Sequence, residues 1–214
     1  MTDFQALLGR MPLVAILRGI TPNDAVAVGR VLVESGIKLI EVPLNSPRAL
    51  DSVALLRSAI PSALIGAGTV ISKDQVDELA HAGAQMIVSP NADPAVVART
   101  KAHGMVSLPG VLTPTEAFLM QAAGADALKL FPAAALGMVG MQALASVLPK
   151  GTLLLPVGAV DETNALAWLR AGAAGLGIGG SLYKAGMTPA DVQLRAAAFV
   201  NAVSQSGGDH HGAR

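Results

Sequence analysis

Short apolar runs alternate along this chain with longer stretches whose apolar residues recur at helical spacing. The runs are PLVAIL (12–17), KLIEV (38–42), ALIGAG (63–68), QMIVS (85–89), MVSLP (105–109), ALKLF (127–131), TLLLPV (152–157) and AGLGIG (174–179). None alternates polar with apolar residues, so each reads as a strand buried on both faces, as parallel strands are. Helices are predicted between them at 22–35, 47–59, 72–82, 93–103, 113–123, 136–148, 162–171 and 188–203. Thr21-Pro22, Ser46-Pro47, Asp93-Pro94, Thr113-Pro114 and Thr188-Pro189 each set an N-cap residue before a proline at the first helical position. Gly36, Gly83, Gly104, Gly124 and Gly172 close helices just before the next strand.

Eight such units predict an α/β chain folded as a (β/α)8 TIM barrel, with a short helix at 3–9 capping the bottom. A doubly wound open sheet shares the alternation, but it usually needs fewer strands, and no GxGxxG follows the first run. No linker divides the chain, so residues 1–205 are expected to form one domain. The polar, glycine-rich end at 206–214, with His210 and His211, is expected to be a disordered tail.

Composition narrows the function. Formal net charge is zero, and no basic block points to nucleic acid or a membrane surface. There is no cysteine, which excludes disulfides, thiolate nucleophiles and thiolate metal sites. No run approaches a membrane span, and MTDFQALLGR does not read as a signal peptide. A soluble cytoplasmic protein is the expectation.

A barrel places its site at the C-terminal ends of its strands. Those ends carry Arg18, Glu41 followed by Asn45, Gly68-Thr69, Pro90, Pro109, Lys129 with Phe131-Pro132, Val157-Gly158-Ala159 and Gly179-Gly180-Ser181. Lys129 sits in an apolar run. It either snorkels to the barrel mouth, pairs with Glu41, or is a desolvated, neutral amine able to attack a carbonyl carbon. Strand alternation puts Asp126 on the opposite face, to meet a helix or cap a loop. A carboxylate buried at Glu41 needs a partner; it is an ion-pair partner of Lys129 or Arg18, or the general acid/base of the same site.

The glycine-rich ends of the last two strands are suited to hold a phosphate on backbone N–H groups, with the Ser181 hydroxyl as a further donor. Arg18 suits a carboxylate or phosphate, or pairs with Glu41. Thr69 reads as an N-cap or a carboxylate ligand, and Pro90, Pro109 and Pro132 as turn-shaping residues that line the pocket. His81 and His103 lie away from these strand ends, so a metal-dependent mechanism is disfavoured. Met86, Met105, Met120, Met138, Met141 and Trp168 read as packing.

The segments ILRG (16–19), EVPLNSP (41–47), GAGTV (66–70), VSPN (88–91), LPG (108–110), KLFPA (129–133) and GIGGS (177–181) resemble the 2-keto-3-deoxy-6-phosphate sugar acid aldolases, over residues 8–203. The resemblance implies a homotrimeric (β/α)8 barrel without metal or cofactor. It implies cleavage of a phosphorylated keto acid to pyruvate and glyceraldehyde 3-phosphate through an imine. By the same resemblance, Lys129 is the Schiff-base lysine and Glu41 the acid/base. Thr69 with Gly68 is the pyruvate-carboxylate site, and Gly158, Ala159, Gly180 and Ser181 the phosphate site. Gluconate-type members typically carry arginine where this chain has Asn45, threonine where it has Val157, and glycine where it has Ala159. Asn45, Val157 and the early Arg18 resemble the galactonate type instead. The Ala159 replacement is tolerable if the backbone dihedrals stay in an ordinary region.

Overall fold

The computed structural model describes residues 3–204; the tail expected at 206–214 lies outside them, as do His210 and His211. The chain runs α1 (Asp3–Arg10), β1 (Leu13–Ile16), α2 (Pro22–Glu34), β2 (Leu39–Pro43), α3 (Ala49–Ala59), β3 (Leu64–Gly68), α4 (Lys73–His81), β4 (Met86–Val88) and α5 (Pro94–Ala102). It continues through β5 (Val106–Leu108), β6 (Gly110–Val111), α6 (Pro114–Ala122), β7 (Leu128–Leu130), α7 (Ala133–Val147), β8 (Leu154–Pro156), α8 (Ala165–Arg170), β9 (Leu176–Ile178) and α9 (Pro189–Ser204). All eight apolar runs form strands, and all pairings are parallel.

The strands make a curled six-stranded sheet, β5-β4-β3-β2-β1-β9, and a three-stranded sheet, β6-β7-β8. The fifth run splits between them at Pro109, which has no N–H to give to a ladder. Its carbonyl still accepts from the Lys129 amide at 2.9 Å. Across the other junction, Val157 and Gly177 form a single parallel bridge.

Side-chain parity explains why the runs are apolar throughout. Leu13, Ala15, Ile40, Ile65, Ile87, Leu128 and Leu154 pack outward with α2–α9, while Val14, Leu39, Leu64, Met86, Leu108, Ala127 and Leu155 join an inner cluster. The inner cluster draws on both sheets, so the sheets share an interior. Phe4 and Leu8 of α1 belong to it and close its N-terminal end, as expected of the first helix. Gly175 lies against Leu8, where a Cβ would sit 2.6 Å from the Leu8 Cδ1.

Several helix starts follow the expected chemistry. Thr113 forms a full capping box with Glu116, and Asp93 accepts from the Ala95 and Val96 amides. Thr188 accepts from the Asp191 amide. Thr21 precedes α2, but its hydroxyl goes to the Asp24 carboxylate. All five helix-closing glycines have positive φ. Asp126 points outward to Lys101 of α5, at 2.6 Å, and accepts from the Ser107 amide.

Two expectations are corrected, and one condition is not met. Ser46-Pro47 does not start a helix: α3 begins at Ala49 after Arg48, which has φ 46°, and the Ser46 hydroxyl is used elsewhere. Thr69 is not an N-cap, because α4 starts four residues later behind Ser72, which accepts from the Gln75 amide. Ala159 does not keep ordinary dihedrals; its φ is 57°, a left-handed conformation that costs a non-glycine residue about 1–2 kcal/mol. Two helix boundaries also move. α7 starts early, at Ala133, and kinks at Gly137. α8 starts late, because Asp161 first accepts from the Thr163 and Asn164 amides in a turn.

Leu8→Ala should leave a void under the inner cluster. We expect a loss of about 2–5 kcal/mol of unfolding free energy, as for other buried Leu→Ala changes, measured by urea denaturation.

Candidate active site

Parity on the inner face builds the first part of the site. Leu39 of β2 and Ala127, just before β7, face inward, so Glu41 and Lys129, two residues on from each, do too. Both are buried, at 2% and 7% exposure. They line one small cavity with Val14, Ile16, Val88, Leu108, Leu155, Val157 and Gly177. Gly68, paired with Pro43 beside Glu41, leaves the slot the carboxylate occupies: a Cβ there would overlap Glu41 Oε1. Any side chain at 68 would therefore displace the acid.

Charge in so apolar a chamber is costly. Burial raises the Glu41 carboxyl above its ordinary range, while Lys129 and then Arg18 pull it back down. Burial lowers the Lys129 ammonium, with Arg18 adding to the effect and the negative charge of Glu41 opposing it. Among the described residues neither group makes an ion pair within 4.0 Å, so the two sense each other across the cavity without direct contact. The Lys129 Nζ lies 4.8 Å from the centroid of the Phe131 ring, a cation–π contact for any positive charge at that nitrogen.

Ile16, Val157 and Gly177 also line a second, wider cavity of about 370 Å³, with Arg18, Phe131, Gly158, Ala159, Val160, Asp161, Gly179, Gly180 and Ser181. These three residues thus form the throat between the chamber and the wider cleft. A Cβ on Gly177 would lie 2.6 Å from Val157 Cγ2, so the bare glycine keeps the throat open. Gly158 has φ 93° and Ala159 follows in the left-handed region, so two consecutive peptides turn into the cleft. Among the described residues the amides of Ala159, Gly180 and Ser181 donate to no protein acceptor. The Ser181 hydroxyl donates to the Val160 carbonyl at 2.8 Å, tying the two loops together. The donors these two loops leave unpaired are therefore backbone N–H groups, beside the Arg18 guanidinium that lines the same cleft.

The β1 and β2 ends are also tied. The Gly19 amide donates to Ser46 Oγ at 2.9 Å, and Ser46 Oγ lies 3.5 Å from the Leu17 carbonyl, so a buried hydroxyl brackets Arg18 on both sides. Thr69 follows Gly68 with φ 61°, a strained conformation of the kind found at binding sites.

The two adjoining cavities gather Arg18, Glu41, Lys129, Val157, Gly158, Ala159, Gly179, Gly180 and Ser181. Gly68 borders them through Glu41; Asn45, Thr69 and Pro90 line neither cavity. Lining residues not singled out from the sequence are Val14, Ile16, Val88, Leu108, Leu155, Val160, Asp161 and Gly177, and Phe131, though placed at its strand end, was not read as a neighbour of the amine. Strand parity would have given Phe131 that place, two residues after Lys129, and would have found Ile16, two after Val14. Among the described residues no three His, Cys, Asp or Glu side chains converge as metal ligands.

The family model for KDPG and KHG aldolase matches residues 4–197. A protein of Escherichia coli (strain K12) named 2-dehydro-3-deoxy-6-phosphogalactonate aldolase is 44% identical over 198 residues, 92% of this chain and 97% of that one. A Rhizobium meliloti (strain 1021) protein named as a probable enzyme of the same kind is 46% identical over 192 residues, covering 89% and 91%. The solved structure described as native KDPGal superposes with a TM-score of 0.91 at 44% identity, over 92% of this chain and 97% of that one.

The electrostatics make a prediction with a sign. Glu41 holds the Lys129 value up, so Glu41→Gln should let it fall further and move half-maximal imine formation with a small keto acid to lower pH. Borohydride trapping across pH reads this; an unmoved or raised midpoint would refute the coupling. Linkage gives a companion statement for stability. Between its depressed folded value and the ordinary 10.5, Lys129 binds fewer protons folded than unfolded. Its contribution therefore favours folding more as pH rises through that window. Glu41 acts oppositely between 4.5 and its raised folded value, where the folded chain binds the extra proton and rising pH disfavours folding.

Proposed function

This chain belongs to the KDPG and KHG aldolase family, and on that premise we propose that it cleaves 2-dehydro-3-deoxy-6-phosphogalactonate to pyruvate and glyceraldehyde 3-phosphate by class I, imine-forming chemistry. The observation that carries this reading is one buried amine and one buried carboxylate lining a chamber whose throat opens onto a cleft with free backbone donors.

The neutral Lys129 amine attacks C2 of the keto acid, and loss of water leaves a protonated imine. Burial supports the first step by depressing the amine, and the Phe131 ring face supports the cation that follows. Glu41, directly or through one water, takes the proton from the C4 hydroxyl. The electrons of that O–H bond form the aldehyde C=O, the C3–C4 bond breaks, and its pair flows into the imine. Glyceraldehyde 3-phosphate leaves. The remaining enamine is protonated at its terminal carbon, and water releases pyruvate from Lys129. Glu41 is suited to both proton steps, since burial raises its carboxyl above the ordinary range and makes it a stronger base than a free carboxylate.

The loops at Gly158-Ala159 and Gly179-Gly180-Ser181 hold the phosphate. This remote binding fixes C4 in the throat. Arg18 and Thr69 orient the carboxylate end or the hydroxyls. Val157 lies where the C4 substituents pass, and an aliphatic side chain there leaves one epimer's hydroxyl without a partner. Two relatives named for the galactonate substrate, at 44% and 46% identity, support that preference.

The reading extends to the whole molecule. The two sheets form one closed (β/α)8 barrel, supported by the Val157–Gly177 bridge and the continuous chain at Pro109, and residues 1–205 act as one domain. The enzyme works in the cytoplasm as a homotrimer, in galactonate breakdown. No helix among the described residues is long and apolar enough to cross a membrane.

Lys129→Ala should abolish covalent trapping by borohydride with pyruvate; trapping that persists at another lysine would end its role. Turnover of the two C4 epimers should favour the galactonate substrate, and Val157→Thr should move the ratio toward the gluconate epimer by about tenfold, the scale of one hydroxyl contact. An unchanged ratio would remove Val157 from specificity.

A further inference from the structure

Behind the Gly180-Ser181 loop stands an arginine that lines neither the chamber nor the cleft. Arg195 projects from α9 and donates through Nη1 to the Ser181 carbonyl at 3.1 Å and the Gly180 carbonyl at 3.4 Å. A trans peptide is planar, and its C=O and the following N–H point in opposite directions. The Gly180 carbonyl and the Ser181 amide belong to one such plane. Drawing the carbonyl back toward α9 therefore turns the Ser181 N–H forward, toward the cleft that Gly180 and Ser181 share with Gly158 and Ala159. The next plane is fixed as well, because the Ser181 carbonyl also meets Arg195 while the Leu182 amide donates to Gly179 at 2.8 Å.

The loop needs such a hold. A Cβ at Gly180 would meet nothing within 4 Å, so no side-chain packing holds this position, and glycine itself resists backbone rotation little. The Ser181 hydroxyl anchors the side chain to Val160 but leaves the peptide before it free to turn. A guanidinium bound to two carbonyls is a charge-assisted contact, about twice as strong as a neutral one. It also sets positive charge on the far side of the peptide whose N–H faces an anion.

We propose that Arg195 is a positioning residue for the substrate phosphate, acting through the Gly180–Ser181 peptide without touching the ligand. The proposal rests on the phosphate cleft assigned above.

The test uses the condensation direction, with pyruvate and either D-glyceraldehyde 3-phosphate or unphosphorylated D-glyceraldehyde. Arg195→Gln should raise the KM for the phosphorylated aldehyde, and the inhibition constant of inorganic phosphate, each about tenfold, the scale of one lost charge-assisted hydrogen bond. The KM for the unphosphorylated aldehyde and kcat should stay within about twofold of wild type on that scale. Arg195→Lys, which keeps a charge and a donor but not the fork, should fall between. Equal KM changes for both aldehydes would show a merely structural role and overturn the proposal. An unchanged KM for the phosphorylated aldehyde would overturn it too, leaving the cleft assignment intact. If wild type itself used both aldehydes equally and phosphate did not inhibit, the cleft assignment would fall and the proposal with it.

Discussion

Holding an ammonium and a carboxylate in the same apolar interior is the constraint around which the rest of this protein is arranged. Separately, each burial would cost several kcal/mol, and a direct ion pair would offset part of it. This chain does neither completely. Lys129 and Glu41 share a cavity, and each offsets part of the other's desolvation, but they stay beyond contact distance. The result is a pair displaced toward neutrality, poised for nucleophilic attack on one side and proton transfer on the other. A tighter pair would lock both charges on.

The surroundings serve that balance. Gly68 is bare so that the carboxylate has a place, and Gly177 is bare so that the chamber stays open. Arg18 lowers both groups' values from the mouth, and Ser46 brackets it by bonding the neighbouring Gly19 amide. The helices contribute from outside. α1 seals the interior from below, and α9 reaches the Gly180-Ser181 loop through Arg195.

Much of this was legible in the residues. Burial on both faces produces unbroken apolar runs, so the strands announced themselves, and a charge inside such a run is conspicuous; that is how Lys129 and Glu41 stood out. Asp126 followed from parity alone. Loop behaviour was less legible. Ser46-Pro47 carries the same signal as a helix start, yet its hydroxyl is claimed by an amide 27 residues away, a tertiary contact no local pattern encodes. Ala159 gives no hint of its left-handed backbone, since alanine normally avoids it. Thr69 before a helix looks like a cap until Ser72 is seen to do that work. Arg195 was silent for a similar reason, because an arginine on an outer helix looks like any solvated charge.

The bridge between Val157 and Gly177 has a consequence for how the enzyme can change. Three residues, Ile16, Val157 and Gly177, set the bore of the passage to the Lys129 amine, and one of them is already glycine. Position 177 therefore has no smaller residue to become, and any enlargement of the bore must come from positions 16 and 157. A methyl added at 177 would instead press against the existing one of Val157 at 2.6 Å. Natural or laboratory selection for bulkier ligands is thus channelled through two codons.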